Sequence, residues 1–208
     1  MAPVGRLVLT DPTRRNVLST ALVEQAREAH EAFRETGGRV ATLLAEGPTF
    51  SAGRDPDFTR VPGVAPAGAA FIDEIDSSPL VWVAPVDGLV AGAGIPPMTN
   101  CFYVLMTERS TAAVPELDGG IYPRPVGEEL ASIIGPRKTL DLILSREPLT
   151  AHAAAALGLA SRVVASDELE SSLEEVAASL LALDEPLLSQ ARTAWKSPLG
   201  TRGSGQPI

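Results

Sequence analysis

Three shortages mark this chain, and each narrows what it can be. It carries one cysteine, Cys101. No internal disulfide can form, and a reducing compartment is compatible with that. It carries two histidines, His30 and His152, and no Cys/His cluster at metal-ligand spacing, which argues against a metal centre. No Ser-His-Asp arrangement is supported either. His30 falls on an amphipathic helical pattern and His152 at a helix start, so both are expected on the surface. Basic residues are outnumbered, 17 Lys and Arg against 26 Asp and Glu, for a net charge of −9. A polyanion-binding surface needs the opposite balance, although a local basic patch remains compatible. The N-terminus lacks the basic stretch and apolar run of a signal peptide, and no apolar run reaches bilayer-spanning length. A cytoplasmic location is the expectation.

What is present is an ordinary globular composition: 208 residues, 45% hydrophobic and 21% charged, enough for one domain with a sizeable core. Strand composition marks residues 4–10, 39–44, 80–86, 102–106 and 162–164. A helix capped by Ser19 or Thr20 should run to Thr36, with Leu22, Ala26, Ala29 and Phe33 on its inner face and Gly37-Gly38 as its stop. Residues 47–70 read as an ordered loop leading into a short helix near 67–75. Further helices are predicted over 128–134, 137–145, 151–157 and 186–195. Another begins after a cap at Asp167 and aligns Leu169, Leu173, Val176 and Leu180. Strands alternating with helices predict an α/β domain with largely parallel pairing. Residues 1–164 form the expected core and 165–196 the C-terminal helices of the same domain. The glycine-rich residues 197–208 have disorder-like composition.

Two glycine-containing turns follow strands: Phe50-Ser51-Ala52-Gly53-Arg54-Asp55 and Asp87-Gly88-Leu89-Val90-Ala91-Gly92-Ala93-Gly94. Small residues let a backbone approach a ligand closely. A turn that opens a helix also presents unpaired N–H groups and the positive end of the helix dipole. Facing one cleft, both turns can offer an N–H to the same oxygen, which is oxyanion-hole geometry. Taken singly, either turn is more simply read as a plain connection between strand and helix.

These segments carry a resemblance. Residues 11–18 (DPTRRNVL) are similar to the RPEKRNAL pattern of the enoyl-CoA hydratase/isomerase, or crotonase, family. Phe50 to Asp55 resembles its FSAGAD loop, and Val86 to Gly94 its V-N-G-x-A-x-G-G-G turn. Val114 to Pro123 resembles PEVxLGLIP, and Ile134 to Val164 the family's closing stretch. The matches keep family order over about residues 4–164. The resemblance implies a crotonase-like spiral of ββα units with C-terminal helices. It also implies an acyl thioester carbonyl held by two backbone N–H groups, which fall by position at Ala52 and Ala93. Coenzyme A, as part of the substrate and with no tightly bound cofactor, should lie along Arg15, Val17 and Leu18 and the backbone of Ser51, Gly53 and Arg54. Arg14, Arg15 and Arg54 are candidates to meet its phosphates. Acyl-CoA or another acyl thioester is the implied partner, with neither nucleic acid nor membrane. The family's trimer is the implied assembly, in a chain shorter at its C-terminus.

Family hydratases use two glutamates around a water. The first position falls at Pro96, which has no ionisable group, and the second at Glu116. Prolines in the first helical turn remove few hydrogen bonds, though Pro97 disfavours helical geometry at residue 96. The structure tolerates this change better than hydration does. One carboxylate suffices to shift a double bond from β,γ to α,β, so the resemblance implies isomerisation with Glu116 as base. Two alternatives stand beside it: a non-catalytic acyl-thioester-binding protein of a biosynthetic pathway, and a hydratase using a substitute such as Asp118, Glu128 or Glu129.

Overall fold

The computed structural model describes residues 4–55 and 64–200. Five parallel strands form the first sheet in the order β1 (Val4–Leu9), β2 (Val40–Ala45), β4 (Val81–Val86), β6 (Tyr103–Thr107), β9 (Arg162–Val164). A second sheet orders β3 (Thr49–Ser51), β5 (Leu89–Ala91), β7 (Thr111–Ala113) and β8 (Leu149–Thr150), with only the last pairing antiparallel. Along the chain, β2-β3, β4-β5 and β6-β7 are each followed by a helix: α2 (Val64–Ser77), α3 (Ile95–Thr99) and α4 (Arg124–Ile134). That threefold ββα succession is the spiral expected from the resemblance.

The first sheet is covered on both faces, which explains the continuous apolar run of β4, buried at all six positions. Strand alternation sends Val81 and Val83, with Val40 and Leu105, toward Leu173, Val176 and Leu180 of α7 (Leu169–Leu181). Trp82, Ala84 and Val86 face the opposite way, into the larger core with Leu22, Val23 and Ala26 of α1 (Thr20–Glu35) and Phe71 of α2. Helix α5 (Pro136–Ser145) adds Leu142 and Ile143 to that core, and α6 (Ala151–Ala156) adds Ala151 and Ala154. Arg39 ties α7 to the sheet, donating to the carbonyls of Leu183 at 2.8 Å and Leu181 at 2.9 Å.

One local expectation is settled and several are corrected. Ser19 is the cap of α1, accepting from Leu22 N–H at 3.2 Å. The inner face carries His30 and leaves Ala29 exposed. His30 is therefore a buried residue, its Nε2 3.0 Å from Ser78 Oγ. Burial lowers its pKa, against the raising effect of Glu74. Asp167 does not cap α7; it lies inside a 3-10 turn, Ser166–Glu168, that leads into the helix. Helix α4 begins at Arg124, four residues before the predicted start, with Pro125 in its first turn. The last helix, α8, runs Glu185–Gly200, past the predicted boundary at 197, and the rest of the predicted tail lies outside the described residues. Among the described residues no helix is long and apolar enough to cross a membrane.

Candidate active site

Three segments that follow β3, β5 and β7 converge, because those strands are adjacent and parallel and so release their chains on the same side. Asn16 organises the first. Its backbone adopts φ +50°, a conformation asparagine tolerates better than most residues. Fully buried, its amide donates to the carbonyls of Glu46 at 2.9 Å and Thr49 at 2.8 Å and accepts from Asp11 N–H at 2.9 Å. Ser51 Oγ donates to the Asn16 carbonyl at 2.8 Å and accepts from Gly53 N–H at 3.2 Å. The FSAGRD loop is thereby held against residues 15–18.

The second segment is the 3-10 turn Gly92–Gly94, which opens α3. Here glycine is required by contact. A Cβ on Gly53 would stand 2.8 Å from the Ala91 carbonyl oxygen and 3.2 Å from Ala93 N, so the loop and the turn meet backbone to backbone. A Cβ on Gly94 would stand 2.7 Å from Ser51 Cβ. Ala93, half-buried between them, is a first-turn residue whose N–H has no partner within the turn.

The third segment supplies Glu116, first residue of the 3-10 turn Glu116–Gly119. Its carboxylate lies directly on Gly92: a Cβ there would be 2.2 Å from Oε1 and 3.3 Å from Oε2. Oε2 is buried without a hydrogen-bond partner. Burial raises the Glu116 pKa above the ordinary carboxylate value, against the lowering effects of its own backbone N–H and the Arg54 charge. A proton acceptor, a helix-start amide and a close-packed glycine surface thus occupy one place.

Of the two amides expected to converge, that of Ala52 is committed elsewhere. The Ala52 N–H donates to the Arg15 carbonyl at 2.9 Å, which corrects its assignment as a ligand donor. The signal that was missed is the opposed direction of C=O and N–H within one peptide unit. Leu18 N–H donates to the Gly53 carbonyl at 2.8 Å and an isolated parallel bridge pairs Leu18 with Arg54. The Gly53 carbonyl and the Arg54 N–H belong to one trans peptide and point opposite ways, so the Arg54 N–H turns away from Leu18.

The other named residues are distributed as follows. Arg15 is exposed, whereas Val17, Leu18 and Ser51 are buried and Arg54 is half-buried. Arg14 forms an ion pair with the buried Asp55 at 2.8 Å. Pro96 and Pro97 are buried within α3, and Asn100 N–H still bonds the Pro96 carbonyl at 3.0 Å; helical geometry persists across both. Asp118 pairs with Arg146 at 3.3 Å and Glu128 with Arg124 at 2.9 Å, all exposed. Glu129 accepts from Thr99 Oγ1 at 3.0 Å. Cys101 is buried and donates to the Pro97 carbonyl, its thiol pKa raised by burial.

The model of the enoyl-CoA hydratase/isomerase family matches residues 2–202. The chain belongs to that family. It is 28% identical over 205 residues to the mitochondrial enoyl-CoA hydratase domain-containing protein 3 of Homo sapiens, covering 94% of this chain and 67% of the relative. It is 32% identical over 175 residues to a probable enoyl-CoA hydratase of Bacillus subtilis, covering 80% and 67% respectively. The crystal structure of the human domain-containing protein 3 superposes with a TM-score of 0.88 at 26% identity, covering 97% of this chain and 85% of that one. The crotonase fold is thereby shown.

Proposed function

We propose that this family member is an acyl-CoA isomerase that moves a double bond from the β,γ to the α,β position through an enolate. The thioester carbonyl oxygen accepts from the Ala93 N–H, joined by the Arg54 N–H in place of Ala52. Two such donors oppose the charge that develops on oxygen, each contributing about 2.7–4 kcal/mol by analogy with measured oxyanion holes. Glu116 removes the α-proton, the C–H electron pair enters the enolate, and the same carboxyl returns the proton at the γ-carbon. The observation that carries this reading is the Glu116 carboxylate, seated on Gly92 with one buried, unpartnered oxygen. Its raised pKa suits a group that must take up and then release a proton.

Pro96 argues against hydration at the same site, because no second carboxylate stands at that position of α3 to share a water with Glu116. Coenzyme A binds, in this reading, along the exposed Arg15 and the backbone of Gly53 and Arg54. The test incubates the protein with a β,γ-enoyl-CoA and, separately, an α,β-enoyl-CoA, beside Glu116→Gln. Isomerisation that the variant lacks is the expected result; hydration at a rate comparable with family hydratases would refute the use made of Pro96. Pro96, without an ionisable group, and the methyl that Ala93 adds at the turn favour a second reading, a non-catalytic acyl-thioester binder. For that reading neither substrate reacts, yet CoA raises the melting temperature.

A further inference from the structure

The turn Gly92–Gly94 carries one side chain among three residues, and its position is informative. Successive side chains of a 3-10 turn leave its axis about 120° apart. The Gly92 direction is closed by the Glu116 carboxylate and the Gly94 direction by Ser51. The Ala93 methyl takes the remaining direction, and the residue is half-buried rather than sealed. Across from it the loop offers another glycine, Gly53, whose missing side chain leaves the approach to Ala93 N open. Within the turn itself Ala93 alone carries a side-chain carbon, since its neighbours are Gly92 and Gly94. A methyl is two bonds from its own amide nitrogen, so an acceptor hydrogen-bonded to that N–H approaches close to it.

We propose that the Ala93 methyl is a specificity-determining group that selects acyl thioesters unbranched at the α-carbon. The inference rests on the reading in which the Ala93 N–H receives the thioester oxygen. On that reading the α-carbon lies between the amide and Glu116, beside the methyl, where an extra substituent and the methyl compete for one volume. One methyl group in a close-fitting site changes affinity by about 10–200-fold.

The test measures dissociation constants of propionyl-CoA and isobutyryl-CoA by titration calorimetry for the full chain, Ala93→Gly and Ala93→Val. The two ligands differ by the α-methyl alone, and neither needs turnover. The wild type is expected to prefer the straight chain by about tenfold or more. Ala93→Gly should bring the ratio close to one, chiefly by tightening the branched ligand, and Ala93→Val should weaken both. A ratio that Ala93→Gly leaves unchanged overturns the inference while the site reading stands. Failure of the wild type to bind either ligand overturns both.

Discussion

Replacing Gly92 by alanine should disable the proposed base without touching it. The new methyl would stand 2.2 Å from Glu116 Oε1 and 2.9 Å from Cδ. Ordinary contact requires the carboxylate to retreat by roughly 1 Å. Gly92 also holds φ +49°, where a side chain costs about 1–2 kcal/mol. A displacement of that size at a reacting group typically costs about 10²-fold in rate. Isomerase kcat should therefore fall by about two orders of magnitude with KM changed far less, since thioester binding does not depend on Glu116. The strain alone should lower Tm by roughly 2–8 °C. Steady-state kinetics with a β,γ-enoyl-CoA and a thermal melt read both quantities. Combined with Glu116→Gln, the two changes should be far from additive, because each removes the same group from its place. A Gly92→Ala enzyme with kcat within twofold of wild type would refute the reasoning, as would full additivity in the double variant.

Three other outcomes are expected. Glu116→Gln should raise Tm near pH 7, where the wild type keeps a desolvated carboxylate charged. The gain should shrink as the pH falls through the Glu116 pKa and vanish below about pH 4, where the group is protonated in folded and unfolded chains alike; the raised folded pKa sets this sign. Asn16→Ala should cost about 3 kcal/mol, since it strands the Asp11 N–H and two carbonyls. That corresponds to a fall in Tm of roughly 6–12 °C, and calorimetric titration should show weaker CoA binding as the FSAGRD loop loses its support. A combined Asp118→Asn, Glu128→Gln variant should retain wild-type turnover and lie within about 0.5 kcal/mol in stability, because both carboxylates sit in exposed ion pairs. Lost turnover in that variant would instead support a substitute acid.

The longer elements were legible because their signals are local. The apolar run at 80–86 marked β4 as a strand, and Ser19 with Gly37 bracketed α1. The second sheet was not legible. Its strands are two or three residues long, too short for alternation to show, and they exist through pairing partners distant in sequence. His30 was misplaced because the angular pattern of α1 also admits it inward; what decides is Ser78, 48 residues away. At the site, motif order located both turns and Glu116, since the glycines and the carboxylate are side-chain facts. The direction of an N–H is a main-chain fact. Ala52 and Arg54 differ only in which way their amides turn, and the bonds of Arg15 and Leu18 decide that.

The donor proposed at Ala93 bears on how such a site can be found experimentally. Its working atom belongs to the backbone, and the position already holds alanine, so a truncation scan would pass over it in silence. Only proline deletes that hydrogen. A survey that catalogues side chains alone would credit this protein with a lone acidic residue and overlook its counterpart.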